Sequence, residues 1–305
     1  MFATFYLIGY NSCMLNLIVA PYELSENGEI YTRRVVKYLK EQKVEYAVYF
    51  CSTLDDVEKN VQEISSLGET EFVIIGDDTM LSKFLNCVKD VGKIKLGIVP
   101  IGNHDDFATF IGISTNPIQA IKDILERDIE TVDYLICNNQ IVLNNITIGS
   151  SAEVFEIYNK YKLRNGYTLK YAIMKYGNKF DGIELTLESK PNRTKTENIF
   201  ELSIANGGNR KGKNLSPLAN VKDGLFNLNY TTTVEDKKVR KKYLKNTLSG
   251  KHIYDDNTKQ HWLTNLKISN PDRHIRAVLD GQVQVLEELN ISIVENGLKI
   301  YKKIG

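Results

Sequence analysis

Cysteine and proline are scarce in this 305-residue chain, and its net charge is close to zero. Its four cysteines lie far apart and form no C-x-x-C pair, which argues against a zinc site or a thioredoxin-type motif and is typical of reduced, cytosolic thiols. A net charge of +1 gives no overall attraction to nucleic acid. With 42% hydrophobic and 25% charged residues, the composition is that of a globular protein of about two domains.

Long apolar runs are also absent. The first 20 residues are apolar in tone, but polar residues interrupt them and no basic residue precedes them. This pattern predicts neither a signal peptide nor a transmembrane segment. Met14 stands directly before the first strand-like run, Leu15–Val19. We therefore expect Met14 to be the native start and residues 1–13 to be an upstream extension, which N-terminal sequencing of the native protein would test.

The first third of the chain alternates between strand-like and helix-like segments. The predicted strands are Leu15–Val19, Tyr46–Phe50, Phe72–Ile75 and Leu96–Val99. The predicted helices are Tyr31–Gln42, Asp55–Ser66, Thr79–Val88 and a helix from Asn116-Pro117 to Glu126. This order predicts an α/β domain at residues 14–135, with a mostly parallel sheet covered by helices.

The pattern changes after about Asp133. Short strand-like runs separated by Gly, Asn or Pro then dominate: Leu135–Ile136, Gln140–Ile148, Gly182–Leu187, Phe200–Asn206, Leu225–Tyr230 and Arg273–Leu279. Two helices, Ala152–Lys162 and Thr168–Lys179, are predicted between them. We expect an antiparallel β-sandwich domain at residues 136–290. Residues 291–305 can add a strand to either domain.

Two predicted strands end in glycine and acidic residues. The strand Phe72–Ile75 runs into Gly76-Asp77, and a helix begins at Thr79; Leu96–Val99 is followed by Gly102-Asn103-His104-Asp105-Asp106. Ligands bind at the carboxyl ends of parallel strands, and a glycine there lets backbone amides approach a phosphate at a helix N-terminus. A plain capped turn would explain either segment alone, but two such strand ends in one sheet, each with glycine and aspartate, are less easily explained as plain turns.

Further turn-like segments follow in the second half: Ala205-Asn206-Gly207, Pro217–Leu225 and Asp280-Gly281-Gln282. In this order and spacing the segments resemble the bacterial diacylglycerol-kinase family of lipid kinases, relatives of sphingosine kinases and, more distantly, of NAD kinases and 6-phosphofructokinases. The resemblance extends from about Met14 to the C-terminus. In the first half, family members carry G-G-D-G-T at Ile75–Thr79 and P-x-G-T-x-N-D-F-A at Pro100–Ala108. In the second half, they carry A-N-G at Ala205–Gly207, P-x-A-x-x-D-D-G-L at Pro217–Leu225 and D-G-E at Asp280–Gln282.

The resemblance implies transfer of phosphate from ATP, with Mg²⁺, to the hydroxyl of diacylglycerol or a similar lipid. It implies that Asp77 acts through the metal on the phosphates and that Asp280 is the general base. It also implies a structural metal site at Asp223. The residues implied to contact the nucleotide are Gly76, Asp77, Thr79, Gly102, Asn103, Asp106 and Asp133.

Several positions depart from the family pattern. Ile75 and Asp78 replace two loop glycines, and Gln282 replaces the carboxylate of D-G-E. A carboxylate at Asp78 puts like charge near phosphate. Two alternatives therefore stay open beside an active lipid kinase: a weak or inactive relative that binds nucleotide or lipid, and a kinase for another acceptor.

A basic run, Lys237–Lys242 continued by Lys245, lies on a predicted helix after Asp236. It is either a solvated helix face or a patch attracted to anionic lipid. We expect a cytoplasmic protein that meets its lipid substrate at the inner membrane face, without a nucleic-acid partner. A homodimer stays open as its state of assembly.

Overall fold

A computed structural model describes residues 14–20, 28–68, 70–101, 105–161, 166–190, 193–210, 213–214, 216–233, 235–247 and 249–303. The chain forms two compact units, one within Met1–Val132 and Asn296–Gly305 and the other at Asp133–Glu295. Predictions on residues 1–13 and on Pro21–Leu24 lie outside the described residues.

The first unit is built on parallel strands. The strands are β1 (Leu15–Val19), β2 (Tyr46–Phe50), β3 (Glu71–Gly76) and β4 (Lys95–Pro100), and the helices are α1 (Gly28–Glu41), α2 (Asp55–Ser66), α3 (Asp78–Cys87), α4 (Asp106–Phe110) and α5 (Pro117–Leu125). The strands pair in the order β2-β1-β3-β4, all in parallel. Every residue of β3 is buried, as expected for a strand covered by helices on both faces. The predicted parallel α/β half is confirmed.

Local sequence determines where α5 begins. The side chain of Asn116 accepts hydrogen bonds from the backbone N–H groups of Ile118 and Gln119 at 3.0 and 3.3 Å. Pro117 follows at the first helical position, where it has no N–H group to leave unsatisfied. The predicted N-cap is therefore confirmed.

At the amino end of β3, the buried carboxylate of Glu71 is paired with two partly exposed cations. Glu71 accepts a hydrogen bond from Lys95 Nζ at 3.3 Å and pairs with Arg127. Burial opposes ionisation of Glu71, but these cations outweigh it and lower its pKa. These groups lie at the edge of the sheet opposite to the predicted nucleotide turns, so their charges stabilise the fold.

The second unit is rich in antiparallel strands. Its strands are β5 (Ile129–Cys137), β6 (Gln140–Val142), β7 (Asn145–Gly149), β8 (Ile183–Lys190), β9 (Arg193–Ala205), β10 (Asn209–Arg210), β11 (Lys213–Asn214), β12 (Phe226–Thr232), β13 (Thr258–Leu263), β14 (Asn265–Ser269), β15 (Ile275–Leu279), β16 (Gln282–Leu286) and β17 (Glu288–Tyr301), of which β5 begins and β17 ends in the first unit. Most pair along the path β16-β15-β7-β9-β8-β14-β17, with β12 beside β9 and β13 beside β12. The predicted antiparallel half is confirmed.

Three helices cover one side of this unit. They are α6 (Ser150–Asn159), α7 (Gly166–Tyr176) and α8 (Lys237–Thr247), and 3-10 turns follow α7 at Gly177–Lys179 and α8 at Lys251–Tyr254. Another 3-10 turn, Val91–Lys93, belongs to the first unit. The helices pack around Phe200 of β9, whose ring centroid lies 6.1 Å from that of Tyr243.

Some elements differ from the sequence prediction. The run Gln140–Ile148, predicted as one strand, is two strands separated by a turn at residues 143–144. Strands β13, β14 and β16 were not predicted. Strand β13 is polar and half-exposed, whereas β14 and β16 are runs of only five residues in which polar and apolar residues alternate. Strand β17 pairs with β14 near its start and with β4 near its end. None of the described helices is long and apolar enough to cross a membrane.

Candidate functional site

The parallel register places the ends of β3 and β4 side by side. Gly76 lies opposite Pro100, and the Ile101 backbone N–H donates to the Gly76 carbonyl oxygen at 3.2 Å. The two turns singled out in the sequence therefore start from the same edge of one sheet, as ligand sites in parallel sheets do. Of the predicted nucleotide contacts, Gly102 and Asn103, with neighbouring His104, lie outside the described residues.

Asp77 is the N-cap of α3. Its Oδ1 accepts hydrogen bonds from the backbone N–H groups of Thr79 and Met80 at 3.0 and 3.1 Å, and the residue is 5% exposed. A capping carboxylate satisfies helix N–H groups that have no intrahelical partner and complements the helix dipole. Asp77 thus holds negative charge at a helix end that would otherwise attract a phosphate.

Packing alone accounts for Gly76 and Ile75. A Cβ atom on Gly76 would lie 2.9 Å from Met80 Cβ and 3.1 Å from Ala20 Cβ, so a larger residue would displace the first turn of α3. Ile75 is fully buried in the core of the first unit with Val19 and Val99. The position at which the lipid kinases carry their first loop glycine is therefore a core strand position in this chain.

Asp78 links the two turns. Its Oδ2 accepts a hydrogen bond from the Phe107 backbone N–H at 3.0 Å, which joins the first turn of α3 to the first turn of α4. Asp78, Asp105 and Asp106 are all half-buried. Together with Asp77, they give this edge of the sheet a strongly acidic character, which favours a nearby cation.

The described residues contain no group of three or more His, Cys, Asp and Glu side chains arranged to hold a metal ion. Mg²⁺ is nevertheless commonly held by one or two carboxylates together with substrate phosphates, so a protein cage is not required. The acidic turns at Asp77 and Asp106 fit an ion that arrives with a nucleotide.

Asp133 anchors a second group of predicted site residues, in the second unit. It is fully buried, and its Oδ2 accepts a hydrogen bond from the Gly224 backbone N–H at 2.8 Å. Its own N–H donates to the Val221 carbonyl oxygen at 2.7 Å. Asn206 Nδ2 donates to the Asp133 carbonyl oxygen at 3.0 Å. The segments Ala205–Gly207 and Pro217–Leu225, which gave only turn signals in the sequence, are therefore both hydrogen-bonded to Asp133.

Asp280 holds the turn between β6 and β7. Its carboxylate accepts hydrogen bonds from the backbone N–H groups of Leu143, Asn144 and Asn145 at 2.6, 2.8 and 3.0 Å. Part of the residue reaches the surface, but the carboxylate is surrounded by protein; this burial raises its pKa, and the three N–H groups oppose the rise. Asn206 Nδ2 also donates to the Leu143 carbonyl oxygen at 2.8 Å, so the network extends to Asp133.

Asp223 shapes the turn that presents Gly224. Its Oδ1 accepts a hydrogen bond from the Leu225 backbone N–H at 3.1 Å. Gly224 has a φ of +68°, and a Cβ there would lie 3.1 Å from the Glu295 carboxyl carbon, so both backbone and space favour glycine. A metal at the exposed Asp223 stays a prediction.

The structure thus collects the sequence-predicted residues into two groups, one in each unit. Sequence reasoning missed the bond from Phe107 to Asp78 and the turn at Leu143–Asn144 that Asp280 holds. The turn left one signal, the two consecutive asparagines at 144 and 145 within a run of branched residues.

Comparisons with known proteins give a consistent result. The family model of the diacylglycerol kinase catalytic domain matches residues 15–137. A protein from Alcanivorax borkumensis described as "Probable lipid kinase YegS-like" is 25% identical over 273 residues, which cover 82% of this chain and 84% of that protein. One of the same description from Pseudomonas fluorescens is 28% identical over 123 residues, 40% of each chain.

Solved structures share the fold. A diacylglycerol kinase from Bacillus anthracis superposes with a TM-score of 0.71 at 14% identity, covering 95% of this chain and 96% of that chain. Yeast NADH kinase superposes with a TM-score of 0.55 at 10% identity, covering 99% of this chain and 89% of that one. The chain therefore has the same fold as these solved structures. Residues 15–137 thus match the diacylglycerol kinase catalytic domain, and most of the chain is similar to a bacterial lipid kinase.

Proposed function

We propose that this protein is an ATP- and Mg²⁺-dependent lipid kinase that phosphorylates the hydroxyl of diacylglycerol or a similar lipid at the cytoplasmic membrane surface. The observation that supports it most is the acidic edge of the parallel sheet, where Asp77 and Asp106 follow adjacent strands in a chain of lipid-kinase ancestry. Phosphoryl transfer needs mainly positioning and charge neutralisation, which such an edge can supply with a metal ion.

The nucleotide would contact the turns after β3 and β4. In this proposal Asp77 holds Mg²⁺ together with the phosphates, and Gly76 and Thr79 lie beside them. Gly102, Asn103, Asp106 and Asp133 complete the set of nucleotide contacts. Bound Mg²⁺ would supply neutralisation of the charge that develops on the transferred phosphoryl group.

Asp280 is the proposed general base. It would accept the proton of the lipid hydroxyl as the hydroxyl oxygen bonds to the γ-phosphorus of ATP and the bond from that phosphorus to the ADP oxygen breaks. A raised pKa makes its carboxylate a stronger base, and the three N–H groups of residues 143–145 fix its orientation. Asp223 is proposed to hold a structural metal ion.

An inactive or weak relative that binds nucleotide or lipid is the second candidate. Asp78 adds a carboxylate where lipid kinases carry glycine, and Asp77 caps α3, so negative charge already lies where phosphates would bind. Gln282, exposed at the start of β16, cannot act as an acid or a base in place of the family's glutamate.

A phosphate-transfer assay with radiolabelled ATP over a panel of lipid alcohols tests the proposal. We expect wild-type activity to disappear in Asp280→Asn and to persist in Asp272→Asn, a matched change at an exposed aspartate outside both groups. Transfer that survives Asp280→Asn would refute the base assignment. No transfer, combined with thermal stabilisation by Mg-ATP, would favour the inactive relative; no transfer and no stabilisation would reject the kinase and a relative that binds nucleotide.

A further inference from the structure

The net charge of +1 conceals a strong asymmetry. Residues 157–180 contain six Lys and Arg residues, residues 237–254 contain seven, and neither segment contains Asp or Glu. These thirteen come from a total of 39, so the rest of the chain has 26 basic residues against 38 acidic ones. The two segments therefore carry a concentrated positive charge, whereas the rest of the chain has a net negative charge.

The fold of the second unit brings these segments together. Helix α7 belongs to the first segment and α8 to the second, and both pack on Phe200 through Ile173 and Leu244. Their apolar residues face this shared core, and their lysines face outward. Lys238, Lys241, Lys242 and Lys245 are exposed on α8, at the spacing of one helix face.

The buried basic residue of α8, Arg240, supports this division between an inner apolar face and an outer basic face. Arg240 is buried, and it donates hydrogen bonds to the Phe180 carbonyl oxygen at 3.2 Å and to Asp181 at 3.1 Å. It therefore anchors the helix to the unit. Within the described part of the chain, Lys238, Lys241, Lys242 and Lys245 form no ion pair with a carboxylate, so their charges face solvent unneutralised.

The same two segments also expose tyrosines. Tyr167 and Tyr171 lie one turn apart on α7 and are 86% and 54% exposed, and Tyr254, shortly after α8, is 68% exposed. Lys175 Nζ lies 5.2 Å from the centroid of the Tyr171 ring. Rings with an apolar body and a polar tip, beside lysines, are typical of surfaces that sit at the bilayer–water interface.

We infer that the outer face of α7 and α8 docks onto the surface of an anionic lipid bilayer. The lysines supply attraction to acidic headgroups, and the tyrosines supply burial at the interface. Single-stranded nucleic acid is the other polyanion that basic and aromatic residues attract, so an RNA oligonucleotide is included as a competing probe in the experiment below. The inference deepens the proposed function, which requires access to a membrane lipid, but docking itself needs neither nucleotide nor catalysis.

Vesicle co-sedimentation of the full chain without nucleotide tests the inference. The probes are vesicles of pure phosphatidylcholine and vesicles in which phosphatidylglycerol replaces 40% of it. We expect binding to the anionic vesicles at 50 mM NaCl and its loss at 500 mM NaCl. The combined variant K238Q/K241Q/K242Q/K245Q should weaken binding at least tenfold, and Tyr167→Ala with Tyr171→Ala should weaken it severalfold.

The matched control is K37Q/K40Q/K59Q/K89Q, which removes the same charge from exposed positions of the first unit and should bind like wild type. Circular dichroism melts would verify that each variant is folded. Equal loss in both quadruple variants, no binding to anionic vesicles, or binding to a single-stranded RNA oligonucleotide in preference to vesicles would overturn the inference. Kinase activity on detergent-dispersed lipid should survive K238Q/K241Q/K242Q/K245Q, so a failure of docking and a failure of catalysis remain distinguishable.

Discussion

Asp78 Oδ2 lies 3.0 Å from the backbone nitrogen of Phe107, and this hydrogen bond ties the start of α3 to the start of α4. Lipid kinases carry a glycine at the position of Asp78. The bond gives this aspartate a structural role, because it satisfies an N–H group at the start of α4. The same carboxylate adds negative charge beside the proposed phosphate site.

Changing Asp78 should separate these two effects. Asp78→Asn keeps an acceptor for the Phe107 N–H and removes the charge, so we expect tighter Mg-ATP binding with little change in stability. Asp78→Gly removes both, so we expect tighter binding together with a loss of about 1 kcal/mol in the free energy of unfolding. Isothermal titration and urea denaturation measure the two quantities. Unchanged or weaker nucleotide binding in both variants would contradict the charge argument.

Asp77 should show the opposite pattern. Asp77→Ala removes the N-cap of α3 and should cost about 1 kcal/mol of stability, whereas Asp77→Asn retains a capping oxygen and should cost less. Both should abolish phosphate transfer if the carboxylate holds Mg²⁺. Transfer assays beside thermal melts distinguish the roles, and a fully active Asp77→Asn would leave Asp77 as a helix cap only.

Asp280 should matter for stability as well as for catalysis. Asp280→Ala leaves three backbone N–H groups without their acceptor, and we expect a loss of about 3 kcal/mol or more. Asp280→Asn retains one carbonyl oxygen and should cost less, yet it should still abolish transfer because an amide cannot accept the hydroxyl proton. Urea denaturation of both variants, with Asp272→Asn as the control, measures the first effect. Equal stability of Asp280→Ala and wild type would contradict the structural role.

His252 should make stability depend on pH. Burial lowers its pKa to about 4, below the usual 6.5, although its hydrogen bond to the Asn246 backbone opposes the shift. Between pH 4 and pH 6.5 the imidazole is protonated in the unfolded chain but neutral in the folded protein. The contribution of the neutral, buried imidazole to the free energy of unfolding is therefore complete above pH 6.5 and is lost as the pH falls towards 4. The loss amounts to about 3 kcal/mol at most. Urea denaturation at pH 4.5 and pH 7.5 should show a smaller difference for His252→Gln than for wild type; an equal difference would contradict the assignment.

Prediction from sequence worked best where local signals agree with burial. Strand β1 and helix α2 have the bounds predicted from sequence, because fully buried parallel strands are continuous apolar runs and surface helices show 3.6-residue periodicity. Prediction was poorer in the second unit. Strand β13 is polar and contains Trp262, which is 49% exposed. An edge strand is defined by its hydrogen bonds to a neighbour, and these leave little trace in composition.

The same distinction between local and long-range information applies to the candidate site. The sequence by itself determined which aspartates are present, which strand ends they follow, and the resemblance to lipid kinases, since these depend on residue type and order. Only the tertiary structure decided what the carboxylates contact: Asp78 reaches Phe107, and Asp280 reaches the turn at Leu143, 137 residues away along the chain. Such partners are chosen by the closing of strands and turns around a common core, and no local pattern encodes a distance between residues so far apart.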